Sequence, residues 1–115
     1  MTPSQKNLLL DRLSVSYNQT CTLILICKEK KLSDEVERLE RRKALLKVKT
    51  DGLLHDLYHS WTGDAEGLKG TIDESNKELG KCIAEILLDV NTAGYIVKAI
   101  GYIDDVIKAA DVLIG

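Results

Sequence analysis

His55 and His59 stand four residues apart, the spacing that places two imidazoles on one face of a helix within reach of a shared metal ion. A zinc hydrolase site of this type has Glu directly after the first His, whereas this chain has Asp56 there and no third ligand close by. The expectation is two helix-surface histidines and no metal site. Arg38, Arg41, Arg42, Lys43, Lys47 and Lys49 form a basic stretch of the kind that contacts a phosphate backbone. Glu35, Glu37 and Glu40 precede these cations at spacings that give i,i+3 and i,i+4 pairs, which points to a solvated, salt-bridged helix face and no nucleic-acid partner. Asp104 and Asp105 are adjacent, point to different sides of a helix, and cannot share acid–base work. No glycine-rich phosphate loop, nucleophile elbow or Cys/His pair is present. The chain reads as a non-enzyme without a cofactor.

The elements that carry these residues must come from a modest core. The sequence has 115 residues, 44% of them apolar, with no Phe and a single Trp, so one domain spanning 1–115 is expected to pack through Leu, Ile and Val. Charged residues make up 30% with a formal net charge of -2, so no whole-molecule field attracts nucleic acid or an acidic membrane. Cys21, Cys27 and Cys82 are odd in number, lack CxxC spacing and lie in apolar runs, as reduced buried thiols do. No basic segment followed by an apolar one marks a Sec-type signal, and the apolar run Leu23 to Cys27 is far too short for a membrane span. The expected location is the cytoplasm.

Both halves of the chain carry helical periodicity, so the fold class is all-α. Thr2-Pro3-Ser4-Gln5 reads as a capping box with proline at the first helical position. Leu9, Leu13, Thr20, Ile24 and Cys27 keep one face apolar, and Leu32, Val36, Leu39, Leu46, Leu53 and Leu57 continue at coiled-coil-like spacing, with Lys43 and Thr50 as polar interruptions. The prediction is one helix over about 3–61, with Ser33-Asp34 as a possible restart that would give a third, N-terminal helix. Gly63, Asp64, Gly67 and Gly70 cluster as a turn over about 62–70, and Thr71 and Glu74 have capping-box spacing for a second helix over about 71–113. Its stripe runs through Leu68, Ile72, Leu79, Ile83, Ile86, Val90, Ala93, Val97, Ile100, Ile103, Ile107, Ala110 and Ile114. Gly94 and Gly101, one heptad apart, predict a close helix crossing, unless Asn91 to Gly94 instead splits this stretch in two.

A long helical hairpin with Trp61 and Gly63 at its corner, followed by the small residue Ala65, resembles the WXG superfamily of small proteins handled by type VII secretion systems of Gram-positive bacteria. About thirty additional N-terminal residues make the chain more similar to the helical partner proteins of LXG toxins. That resemblance implies a partner and targeting factor for a larger effector, exported through the type VII system without a Sec signal. It also implies an export signal after the second helix, for which Tyr102 and Asp105 are the candidates at one residue less than the family's spacing.

Lengths give a separate reason to expect association. At 1.5 Å per residue, a helix over 3–61 would run about 88 Å and one over 71–113 about 65 Å. The excess carries Leu9, Leu13, Leu23 and Ile24, the candidate partner-binding residues, together with Leu10 and Ile26. Such a surface either folds back near Leu32 or docks on another chain, so a homodimer or a heteromer with a helical effector domain is expected.

Overall fold

Thr2 starts the first helix as its residue types dictate. Its hydroxyl accepts the Gln5 backbone N–H at 3.1 Å, while its own N–H donates to Gln5 Oε1 at 2.8 Å. The computed structural model describes residues 1–57 and 60–114, and among these it is all-helical. The elements are α1 (Pro3–Glu29), α2 (Ser33–His55), α3 (Ala65–Leu87) and α4 (Thr92–Ile114).

Four helices replace the expected two or three. The helix predicted over 3–61 breaks at residues 30–32, and the one over 71–113 breaks at residues 88–91. Both breaks use the same device without Gly at its pivot. Lys31 adopts φ 60 and Asp89 φ 58, the left-handed conformation that closes a Schellman turn. Leu32 N–H then reaches the Cys27 carbonyl at 3.0 Å, and Val90 N–H reaches that of Glu85 at 3.1 Å. A left-handed Lys or Asp costs roughly 1–2 kcal/mol, which the packing of the paired helices must outweigh. After the second break the helical phase restarts, so Val90 and Val97, read as part of one continuous stripe, are solvent-exposed.

The predicted 62–70 turn is also shorter at its end. Gly67 and Gly70 are helical, because α3 starts at Ala65, and Thr71 donates its hydroxyl to the Gly67 carbonyl at 3.1 Å instead of capping a helix. Each helical Gly costs about 1 kcal/mol, and burial of Ile72 with partial burial of Leu68 and Ala65 offsets it.

α1 and α2 form one antiparallel pair, with Lys28 opposite Glu40 and Lys43 over the Tyr17 ring. α3 and α4 form the second. The pairs lie side by side in the same direction: Arg12 meets Asp73, Ser16 meets Asn76 and Lys30 meets Asp89, so α1 runs parallel to α3. Arg42 meets Asp104 and Lys49 meets Asp111, so α2 runs parallel to α4. Among the described residues α2 and α3 do not touch, so the connector between them joins helices at diagonally opposite corners of the bundle. The chain therefore measures 43 × 21 × 17 Å, half the length that the two-helix reading requires.

Fully buried residues recur every seven positions: Leu39, Leu46 and Leu53 on α2, Ile72, Leu79 and Ile86 on α3, Ile96, Ile103 and Ala110 on α4. On α1 the same register gives Leu9, Ser16 and Leu23, and the interior serine is satisfied by a specific contact. Ser16 Oγ donates to Asn76 Oδ1 at 2.6 Å, and Asn76 Nδ2 donates to the Arg12 carbonyl at 3.1 Å. Among the described residues, the four ion pairs between the helix pairs set a Lys or Arg of α1, α2 or their turn against an Asp of α3, α4 or their turn. Such half-exposed pairs contribute only about 0.2–1 kcal/mol each, so they specify alignment more than they stabilise. Replacing Asn76→Ala removes its hydrogen bonds to Ser16 and to the Arg12 carbonyl, leaves the Ser16 hydroxyl its own helix's Arg12 carbonyl at 3.2 Å, and should cost about 0.5–1.5 kcal/mol by urea unfolding. The double variant Ser16→Ala, Asn76→Leu should recover much of that loss.

Candidate functional site

Two places gather the residues singled out in the sequence. The first is the end of the bundle beneath the diagonal connector. Trp61 is only 6% exposed and belongs to the common core. Its indole Nε1 donates to the Asp56 carbonyl at 3.1 Å, so the ring is buried without stranding its polar atom. Lys6 Nζ lies 5.6 Å from the ring centroid and donates to the Leu57 carbonyl at 2.8 Å. On the far side of the connector, Thr62 N–H reaches the Leu113 carbonyl at 3.0 Å and its hydroxyl donates to the Val112 carbonyl. The connector thereby satisfies carbonyls at the C-terminus of α4 that the helix leaves open.

Gly63 has φ 95, and a Cβ there would come within 2.7 Å of Leu68 Cδ1 and 3.1 Å of Val112 Cγ1. The left-handed conformation therefore favours glycine, and an added Cβ would also have to displace the Leu68 and Val112 side chains. Because α2 and α3 are not neighbours, Trp61 and Gly63 join the two helix pairs; they do not turn a simple two-helix hairpin. Lys6 and Thr62 were not singled out in the sequence. Lys6 stands in phase with Leu9 and Leu13, an odd position for a lysine, but Thr62 carries no local signal because its partners lie fifty residues away.

The second place is a groove of about 520 Å³ on the outer side of the α3–α4 pair, where Gly67, Gly70, Thr71, Glu74 and Ser75 face Tyr102 and Asp105. Tyr102 is partly buried against the core and Asp105 is exposed. Neither Glu74 nor Asp105 has an ion-pair partner among the described residues, so this stretch of groove is acidic.

Other predicted residues go elsewhere. Leu9, Leu13, Leu23 and Ile24, expected on a partner-binding surface, are 0–3% exposed inside the chain's own core, because the fold-back at Lys31 and the second helix pair cover them. Gly94 and Gly101 mark no crossing within the chain: the missing Cβ of Gly94 makes room for the Asn91 side chain, and Gly101 faces open space. Of the basic stretch, Arg41 pairs with Glu37, Arg42 with Asp104, Lys47 with Asp51 and Lys49 with Asp111. His55 is exposed in the last turn of α2, while His59 lies outside the described residues, as does Tyr58. Among the described residues no three ligating side chains converge, and no helix is long and apolar enough to cross a membrane. Cys27 and Cys82 are buried, and burial pushes both thiols up from the ordinary range. Nearby Glu35 adds to the rise at Cys27 and Lys30 opposes it; at Cys82, Lys98 opposes the rise while Glu78 adds to it. Both are packing residues at neutral pH.

No family model, curated protein or solved structure matches this chain.

Truncating the buried indole by Trp61→Ala should lower stability by about 3–5 kcal/mol in thermal or denaturant unfolding. Gly63→Ala should also destabilise through the left-handed backbone and the Leu68 contact. An unchanged midpoint for Trp61→Ala would assign the indole to the surface.

Proposed function

We propose that this protein is a small helical partner of a larger effector, presenting Tyr102 and Asp105 to a type VII secretion machine in combination with the effector's own helices. One observation carries the reading: the two residues whose counterparts serve as an export signal in the resembling family stand together on the wall of an open groove between α3 and α4. Their three-residue separation places them on neighbouring positions of one helix face. The tyrosine ring offers an anchor, the unpaired carboxylate fixes its charge partner, and presentation beside a second helix raises the affinity of so short an element. The Trp61–Gly63 connector is read here as the counterpart of the family's Trp-x-Gly corner, carried between two helix pairs.

A second reading is an interaction module unrelated to secretion. It is favoured by the burial of Leu9, Leu13, Leu23 and Ile24, which gives the chain an apolar core of its own without a partner.

Replacing Tyr102 and Asp105 together with alanine distinguishes the readings. Circular dichroism and a pull-down should show intact helices and an intact effector complex, while effector in the culture medium falls by about tenfold or more, a change worth ~1.4 kcal/mol at the recognition step. Unchanged export with an intact complex favours the second reading and places the signal outside this chain.

A further inference from the structure

Gly101 is exposed in the middle of the outer face of α4, and a Cβ built there meets nothing within 4 Å. Alanine would displace no atom of this chain and would favour the helix, so packing inside the molecule does not account for the glycine. Lys98, three residues earlier, and Asp105, four residues later, are exposed on the same side of the helix. Lys98 lies over the Tyr95 ring at 5.1 Å. Neither Lys98 nor Asp105 belongs to an ion pair among the described residues, although four other aspartates of the C-terminal half do. Val97, 66% exposed, borders the same face.

We propose that this face of α4 binds the same face of a second copy, with the two α4 helices antiparallel about a twofold axis at Gly101. In an antiparallel pair centred there, a position three or four residues before the centre faces one three or four residues after it in the other copy. Lys98 of each molecule meets Asp105 of the other, giving two equivalent ion pairs, and the absent side chain at the centre lets the backbones approach closely. The parallel arrangement sets lysine against lysine and aspartate against aspartate, and repulsion disfavours it. The contact is isologous, so it closes at two molecules and does not propagate. Its formation needs no other protein and does not rest on the effector reading. An effector helix that reads Asp105 must displace the second copy.

Sedimentation equilibrium of the full-length protein at low ionic strength tests this, with circular dichroism verifying that each variant is folded. Wild type should dimerise. Lys98→Asp or Asp105→Lys alone sets like charges opposite each other and should raise the dimer dissociation constant about tenfold or more. The double variant carrying both changes should return it to the wild-type range. Gly101→Leu, whose Cβ has open room in its own chain, should keep or raise its unfolding midpoint while losing the dimer. A wild-type monomer up to about millimolar concentration overturns the proposal. So does a dimer indifferent to either single reversal, or a double variant that stays monomeric.

Discussion

Trp61 sits where the chain must cross from one side of the bundle to the other, and the remaining arrangement depends on that crossing. Had α3 packed beside α2, a tight turn would have joined them; because it packs beside α1, the connection must bridge the diagonal, and Trp61 covers the bundle end. A segment that covers a core end needs a large apolar surface and must still satisfy its own backbone. The indole supplies the first requirement. Thr62, Lys6 and the Trp61 Nε1 supply hydrogen bonds that tie the connector to α4, to α1 and to itself. Gly63 lets the chain turn into α3 in a space already occupied by Leu68 and Val112.

Aliphatic heptads alone would not select this topology. Leu39, Leu46 and Leu53 would pack against almost any helix bearing leucine or isoleucine every seven residues. Selection comes from polar contacts whose partners are directional. The Ser16–Asn76 hydrogen bond fixes α1 against α3 at a single height, since a slip by one turn would leave the buried Asn76 amide without its α1 partners and the Ser16 hydroxyl with only the Arg12 carbonyl of its own helix. The cation-to-aspartate pairs add polarity: the basic partners all come from the first helix pair and the aspartates from the second, so unlike pairs attract and like pairs repel. The same logic, applied to the unpaired Lys98 and Asp105, defines the proposed face between copies.

Much of the helical content is legible in the sequence, and what is not legible has definite causes. The N-terminal capping box is local chemistry and reads directly as Thr2 and Gln5. Leu39, Leu46, Leu53, Leu79, Ile86 and Ile103 are buried as their spacing predicts. The two internal breaks fall where the sequence offers an alternative, a restart at Ser33-Asp34 and a split at Asn91 to Gly94, but their pivots carry no Gly or Pro signal, because Lys31 and Asp89 take the left-handed position usually held by glycine. Only the tertiary burial of Leu13, Leu23, Ile96 and Ile103 makes those folds-back favourable, and that lies outside any local window. The same missing folds-back made Leu9 and Ile24 look unpartnered. Gly67 and Gly70 misled in the opposite sense, suggesting a turn where helix packing outweighs their weak propensity. Tyr102 and Asp105 could be named from the sequence, but their common groove with Glu74 and Gly70 is a product of how α3 meets α4.

The functional reading needs a scaffold that holds the α3–α4 groove at a fixed spacing, and the diagonal crossing with α1 beside α3 is what braces that pair from behind. Solution NMR measures this adjacency most directly. The side-chain amide of Gln19 should show nuclear Overhauser contacts to the α-protons of Gly80, and the Ser16 β-protons should show contacts to the Asn76 side-chain amide, because a Cβ at Gly80 would lie 3.2 Å from Gln19 Nε2 and Ser16 Oγ lies 2.6 Å from Asn76 Oδ1. Contacts linking α3 to α2 in place of α1 would contradict the parallel side-by-side arrangement and, with it, the role assigned to the connector and Trp61.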